Sequence, residues 1–167
     1  MKQIKVRFYI LSLLMICSSQ VFSQHSVGVG LSIYGDSDYS IKSALVSYNY
    51  RPDSYIGLEI YGATGGEETI QVAGTGIAVS AELDYLVGSK LKFGTEINNS
   101  FLYVSGGYNV VGMSAAGGRV SVDVNGASLG VGVDFDMSKN IEGGLSYQNF
   151  YGDIGGYGLG FVVRYKF

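Results

Sequence analysis

The chain has little of the side-chain chemistry that most catalytic and metal sites need. Its 167 residues include one cysteine, one proline, one histidine and no tryptophan. A single cysteine excludes a disulfide within the chain, and Cys17 lies in a segment that we expect to be removed. His25 is expected before the first strand, away from any hydroxyl that it could activate. The sequence therefore predicts a protein that is not an enzyme and that uses no cofactor or metal.

Long hydrophobic runs are also missing. No segment after residue 23 approaches the 18 consecutive apolar residues that indicate a transmembrane helix. The apolar run 8–16 is too short to span a bilayer, follows three basic residues and precedes Val21-Phe22-Ser23. That pattern predicts a cleavable export signal over residues 1–23, with cleavage before Gln24, and one domain over residues 24–167.

Positive charge is scarce in the predicted mature chain. Three of the 11 basic residues precede residue 24, which leaves 8 against 14 acidic residues and a formal net charge of −6. Proteins that bind nucleic acid present clustered positive charge to the phosphates. We therefore expect no nucleic-acid partner.

Glycine, by contrast, is abundant. All 26 glycines follow residue 23 and make up about 18% of that part, against a usual frequency near 7%. They alternate with Val, Leu, Ile and aromatic residues rather than with Pro and Ser, which favours strands over disorder. In the segment 157–167 the alternation puts apolar side chains on one face and Gly158, Gly160, Arg164 and Lys166 on the other. One face suits lipid and the other suits the polar interior of a transmembrane barrel.

The same alternation predicts eight strands, and hence an all-β fold: an eight-stranded antiparallel up-and-down transmembrane β-barrel. The predicted strands are 27–34, 41–50, 56–60, 77–85, 101–110, 129–135, 141–149 and the segment ending at Phe167. The segment 91–97 also alternates. It is either a periplasmic excursion or hairpin extension, or a ninth strand, in which case residues 68–73 supply a tenth. Ten strands therefore stay open.

Several charged residues fall on the inward face in this register. They are Glu59, Glu82, Asp84, Asp134, Glu142 and Arg164, with Lys92 and Lys166 beside them. Unpaired ions are costly in a crowded interior, so we expect a hydrogen-bonded network of salt bridges. An eight-stranded barrel is just wide enough to be filled by side chains. This predicts a polar plug, with a narrow pore as the alternative.

Two segments carry a resemblance to a known family. They are residues 101–108, Phe-Leu-Tyr-Val-Ser-Gly-Gly-Tyr, and residues 129–135, Leu-Gly-Val-Gly-Val-Asp-Phe. Both are similar to strands of the small outer-membrane β-barrels that include the OmpA transmembrane domain, OmpX and Ail. The resemblance implies a Gram-negative outer membrane, periplasmic termini and a monomer among lipid and lipopolysaccharide. It also implies that barrel-assembly machinery reads the last strand at Phe161, Tyr165 and Phe167.

The expected function is a structural or surface role for a porin-like barrel with a filled interior. An adhesin that binds through the outer loops, over 35–39, 63–74, 111–125 and 151–155, stays open. A secreted soluble β-sandwich is the remaining alternative. A channel for hydrophobic ligands, as in OmpW-like barrels, is disfavoured because the inward positions are mostly Gly, Ser and acids.

Overall fold

A computed structural model describes residues 24–36, 40–72, 77–115 and 120–167. The predicted signal peptide, residues 1–23, lies outside the described residues. The described part contains nine strands: β1 (Gln24–Gly35), β2 (Ser40–Arg51), β3 (Ile56–Thr64), β4 (Glu67–Val72), β5 (Ile77–Ile97), β6 (Ser100–Ala115), β7 (Val120–Asp136), β8 (Ile141–Phe150) and β9 (Tyr157–Lys166). Within these ranges we find no helix that is both long and apolar enough to cross a membrane.

Eight of the strands close into a barrel. Neighbours along the ring pair antiparallel, β1 pairs with β9, and β3 pairs with β5 to complete it. The predicted eight-stranded antiparallel barrel is thus confirmed. β4 stands outside the ring and pairs with the first residues of β5, from Ile77 to Glu82.

The prediction for residues 91–97 is wrong, because this segment is the second half of the 21-residue strand β5. There it pairs with β3 on one side and β6 on the other. The proposed tenth strand over 68–73 coincides largely with β4, which extends a hairpin instead of joining the barrel. Ten barrel strands are therefore excluded.

A four-stranded sheet continues past one end of the barrel. This sheet, here called the extension, comprises β4, the first part of β5, the last part of β6 and the first part of β7. The next strand along the ring, β8, ends at Phe150, opposite Ser128 of β7, and so does not reach the extension. The predicted loops 63–74 and 111–125 are therefore largely strands, and residues 73–76 and 116–119 lie outside the described residues.

The two faces of the barrel differ in polarity. Buried Ser, Asn and charged side chains point inward, with apolar residues among them. Exposed apolar side chains occur on all eight barrel strands, as the following examples show: Val29, Val46, Ile60, Leu91, Val104, Leu129, Leu145 and Leu159. A water-soluble monomer rarely exposes so extensive an apolar surface.

Candidate functional site

Six charged side chains meet in the interior of the barrel. This set, here called the ion network, consists of Glu59, Lys90, Lys92, Asp134, Glu142 and Arg164, all of them buried. Three acids and three bases give it a formal charge of zero. A buried charge is tolerated when it is paired and hydrogen-bonded, and the composition of this cluster meets that condition.

Arg164 lies at the centre of the ion network. Its Nη1 donates to Asp134 Oδ1 at 2.9 Å and to Glu142 Oε1 at 3.1 Å, while its Nη2 donates to Glu59 Oε2 at 3.0 Å. Lys92 Nζ lies 2.5 Å from Glu59 Oε2 and 2.7 Å from Asp134 Oδ2. One guanidinium therefore joins acids from β3, β7 and β8 to the last strand of the chain.

The strand register explains why these residues meet. Glu59 faces Lys90 across β3 and β5, and Glu142 faces Arg164 across β8 and β9. Glycine leaves room for the guanidinium: a Cβ on Gly144 would lie 2.6 Å from Arg164 Nη1 and 2.8 Å from Asp134 Oδ1. Side chains at a directly opposed pair are about 5 Å apart at Cβ, within reach of an ion pair.

Four of the six predicted interior charges, Glu59, Asp134, Glu142 and Arg164, are brought together here. Glu82 and Asp84 are not, and their predicted inward orientation is wrong: both are exposed on the outer face of the extension. The pairing of β5 with β6 shifts between Leu83 and Tyr85. A β-bulge of one residue reverses the faces of every residue beyond it.

Lys90 is the member of the ion network that the sequence analysis missed. Its Nζ lies 3.7 Å from Glu59 Oε2 and 5.0 Å from the centre of the Tyr61 ring. Lys90 precedes Lys92 by two residues, so the two share one face of the strand. That spacing could have identified it, had the segment been assigned to one continuous strand.

A neutral polar layer lies beside the ion network. The Tyr61 hydroxyl donates to Asn109 Oδ1 and lies 3.2 Å from Gln148 Oε1. Asn109 Nδ2 donates to Ser128 Oγ at 3.0 Å. In the described part of the chain, every buried side-chain nitrogen and oxygen has a hydrogen-bond partner. The buried polar groups of the described interior therefore satisfy one another's hydrogen bonds without a ligand.

The interior becomes apolar towards the extension. Eight buried side chains form this apolar layer: Ile41, Leu45, Tyr61, Ala63, Leu83, Leu86, Val111 and Val162. Ile154, from the connection between β8 and β9, packs against them over a cavity of about 40 Å³. The expectation of mostly Gly, Ser and acidic inward positions is therefore wrong for this half. The bulge explains why Leu83 points inward, on the face opposite to Glu82 and Asp84.

The side chains in the barrel interior pack together and neutralise one another's charge, and they do not form an arrangement typical of a catalytic or metal site. Among the described residues, no group of three or more His, Cys, Asp and Glu side chains could hold a metal ion. His25 lies at the opposite end from the extension, where its Nδ1 is 2.7 Å from the Tyr48 hydroxyl and its ring stacks on Phe167. The ion network itself contains no nucleophilic hydroxyl or thiol.

Comparison with known proteins shows the fold. No family model matches the chain, and no curated protein matches it in sequence. Among solved structures it is similar to OprG of Pseudomonas aeruginosa, with 13% identity, 87% of this chain and 96% of that chain covered, and a TM-score of 0.73. The outer membrane protein W of E. coli has 17% identity and a TM-score of 0.57, with 87% of this chain and 98% of that chain covered. Ail of Yersinia pestis has 20% identity and a TM-score of 0.54, with 87% of this chain and 97% of that chain covered. The chain thus has the fold of small outer-membrane β-barrel proteins.

Proposed function

We propose that the protein is an integral protein of a Gram-negative outer membrane, with a structural or surface role and no enzymatic activity. One observation supports this proposal most strongly: every barrel strand has an apolar outer face, and the interior of the same barrel is filled and charge-neutral. Lipid is the environment in which such an outer face is stable.

The barrel is occluded in this proposal. The ion network, the polar layer and the apolar layer follow one another along the interior, so an ion would have to displace all three. Separating a buried ion pair costs several kcal/mol because the charges lose their partners without gaining full hydration. A narrow pore is therefore the less favoured function.

The proposed orientation rests on placing the two ends of the described chain in the periplasm. Phe167 donates its backbone N–H to the His25 carbonyl at 3.0 Å, so both ends of the described chain lie at one rim. The extension lies at the other rim. With periplasmic termini, the extension faces the cell exterior, the barrel is a monomer among lipid and lipopolysaccharide, and the barrel-assembly machinery inserts it.

Fractionation and conductance test this proposal together. The protein should sediment with outer membranes and change its mobility when boiled in detergent gels, as a closed barrel that resists detergent does. In planar bilayers the refolded barrel should give no stable conductance steps. Recovery as a soluble periplasmic protein would contradict the membrane location, and steady channels at most insertions would favour the pore.

A surface-binding role is the second candidate, and the extension favours it. On β7, Val120–Asn125 pairs with β6 on one side, while pairing with β8 starts only at Ser128. Among the described residues no strand covers its other side. Val120 and Val122 are 62% and 52% exposed, and this edge contains no proline, glycine or lysine that would discourage strand addition.

The backbone direction identifies the groups that a binding strand would use. Tyr151 N–H donates to the Ala127 carbonyl, so the peptide groups of Ala127 point to the open side. Hydrogen-bonding direction alternates along a strand, and Asn125, Asp123 and Ser121 therefore point the same way. Gly152 lies beside the Asn125 carbonyl, which leaves the peptide groups of Asp123 and Ser121 for a binding strand. Acidic residues on the outer face of the extension, Glu67, Glu82, Asp84 and Asp123, favour a cationic partner.

Ser121→Pro tests this role. Proline removes the N–H that points to the open side and leaves the pairing with β6 intact. Binding of an extended peptide of alternating valine and lysine should weaken at least tenfold, as measured by fluorescence anisotropy, whereas Ser121→Ala should bind like the unchanged protein. Equal binding by the proline variant would exclude this edge.

A further inference from the structure

We infer that the open edge of β7 pairs with the same edge of a second copy of this protein in a facing membrane. The inference deepens the surface-binding role by naming its partner, and it rests on the proposed outward orientation of the extension. The edge comprises residues 120–125, where pairing with β6 covers one side and, among the described residues, no strand covers the other. Within its own membrane each barrel stays a monomer.

The backbone of the edge restricts how two copies can pair. Ser121 and Asp123 point their peptide groups to the open side, while the residues between and beside them bond to β6. In an antiparallel pair, a residue that points to the partner strand faces a residue that does the same. The possible registers therefore place Ser121 opposite Ser121, Ser121 opposite Asp123, or Asp123 opposite Asp123.

One of these registers makes the edge complementary to itself. Asp123 opposite Asp123 brings like charges together, which destabilises a strand pair. Ser121 opposite Ser121 overlaps only residues 120–122 of the described strand. Ser121 opposite Asp123 overlaps residues 120–124, and each serine hydroxyl then faces a carboxylate of the other copy to which it can donate. Each such pair also exchanges both of its backbone hydrogen bonds.

The apolar face of the edge fits the same register. Val120 and Val122 are exposed, and Val124 follows them on the same face of the strand. With Ser121 opposite Asp123, Val122 lies on the two-fold axis and faces Val122 of the other copy, while Val120 faces Val124. β-Branched side chains pack well across paired strands, and pairing removes their apolar surface from water. Both faces of the edge therefore favour a second copy as the partner.

Antiparallel pairing of this edge directs the two barrels away from each other. β7 begins in the extension at Val120 and ends in the barrel at Asp136. A two-fold axis through Val122, perpendicular to the sheet, reverses the strand and the barrel with it. Copies that lie side by side in one membrane have the same direction and cannot pair in this way. Copies in two facing membranes can, so the contact joins two membranes.

The acidic residues of the extension weaken this contact only at low salt. Glu82 and Asp84 lie on β5, two strands from the edge. Five strand spacings of about 4.8 Å thus separate β5 of one copy from β5 of the other, about 24 Å in all. That distance exceeds the Debye length of about 8 Å at an ionic strength of about 0.15 M. The two Asp123 carboxylates are diagonal neighbours, and each accepts a hydrogen bond from the Tyr85 hydroxyl of its own copy at 3.0 Å.

Cysteine cross-linking tests the register. Residues 24–167 contain no cysteine, so a single substitution reports on one position. Val122→Cys barrels, tagged in one vesicle population and untagged in another, are mixed and oxidised with copper phenanthroline. Val122 faces itself in a non-hydrogen-bonded pair, where Cα atoms lie about 4.5 Å apart and within range of a disulfide. Dimers of one tagged and one untagged barrel should form, and they can form only between vesicles.

Val120→Cys is the matched control, because it is exposed on the same face but lies off the two-fold axis. Alone it should give at least tenfold fewer of these dimers than Val122→Cys. Vesicles with Val120→Cys mixed with vesicles with Val124→Cys should cross-link, because these two positions face each other in the inferred register.

Clustering of vesicles, measured by light scattering, tests the contact without cysteine. Vesicles that contain the unchanged protein should cluster, and more strongly in about 0.15 M salt than in about 0.01 M. A cationic partner would show the opposite dependence on salt. Ser121→Pro should reduce clustering at least fivefold, because it removes an N–H that donates to the other copy. Ser121→Ala keeps that N–H and should still cluster.

Equal cross-linking by Val120→Cys and Val122→Cys, or clustering that Ser121→Pro leaves unchanged, would overturn the inference. Peptide binding at this edge by a protein whose vesicles do not cluster would also overturn it, and would leave the surface-binding role standing. The mobility shift on boiling verifies that each variant is folded, and the cysteine variants decide the question if Ser121→Pro does not fold. Absence of the unchanged protein from outer membranes would instead refute the proposed location.

Discussion

Replacing Arg164 with methionine should lower the free energy of unfolding in detergent or lipid by about 3 to 5 kcal/mol. The guanidinium pairs with Glu59, Asp134 and Glu142, and all three acids are buried. Methionine fills much of the volume of arginine but leaves Glu142 without its cationic partner. Urea titration of the refolded barrel measures the loss.

A double-mutant cycle separates the ion pair from the change of shape. Arg164→Met combined with Glu142→Gln should recover at least about 1 kcal/mol, because the carboxylate that lost its partner is neutralised. Lys166→Met is the matched control: Lys166 pairs with Asp136 at 2.7 Å, but Asp136 is 34% exposed. A partly exposed pair contributes about 1 kcal/mol or less. Strict additivity in the cycle would show that Arg164 and Glu142 are not coupled.

The last strand shows what sequence alone can establish. β9 contains no register shift in its pairing with β1 or β8. Its period of two therefore places Leu159, Phe161 and Tyr165 outside and Arg164 inside without any knowledge of the neighbouring strands. Arg164 could be identified as an interior charge for that reason.

β5 shows where sequence reasoning fails. The shift between Leu83 and Tyr85 depends on how β5 pairs with β6, which is a tertiary property. Before the shift Leu83 points inward, and after it Leu86 and Lys90 do. A strict period of two across the shift assigns Glu82 and Asp84 to the wrong face. For the same reason the length of β5 is not recognised from the sequence, because the alternation pattern of its first half does not continue into its second half.

The apolar layer was missed for a related reason. Inward residues of a barrel were expected to be polar, yet Ile41, Leu45, Leu86 and Val162 fill the half near the extension. An eight-stranded barrel leaves little room for water, so close-packed apolar side chains fill this half as paired ions fill the other. Alternation shows which residues share a face of a strand, but it does not show whether the face that points into the closed barrel is polar or apolar.

Deleting Phe167 should reduce the amount of assembled barrel in cells at least fivefold and change the stability of the refolded protein little. Phe167 is 69% exposed, and its backbone N–H and ring contact His25 at the rim. Loss of so exposed a side chain costs about 1 kcal/mol or less. A large effect in cells therefore cannot come from stability.

The physical reason for assisted assembly is the backbone. Each unpaired N–H or C=O in lipid costs several kcal/mol until β9 pairs with β1, so closure must be either assisted or concerted. From the resemblance to small outer-membrane barrels we predict that the assembly machinery recognises Phe161, Tyr165 and Phe167 of that strand. Phe167→Tyr keeps a terminal aromatic and should assemble normally, which Western blots of outer-membrane fractions measure. Normal levels of the deletion variant in the outer membrane would show that the terminal aromatic is not the signal.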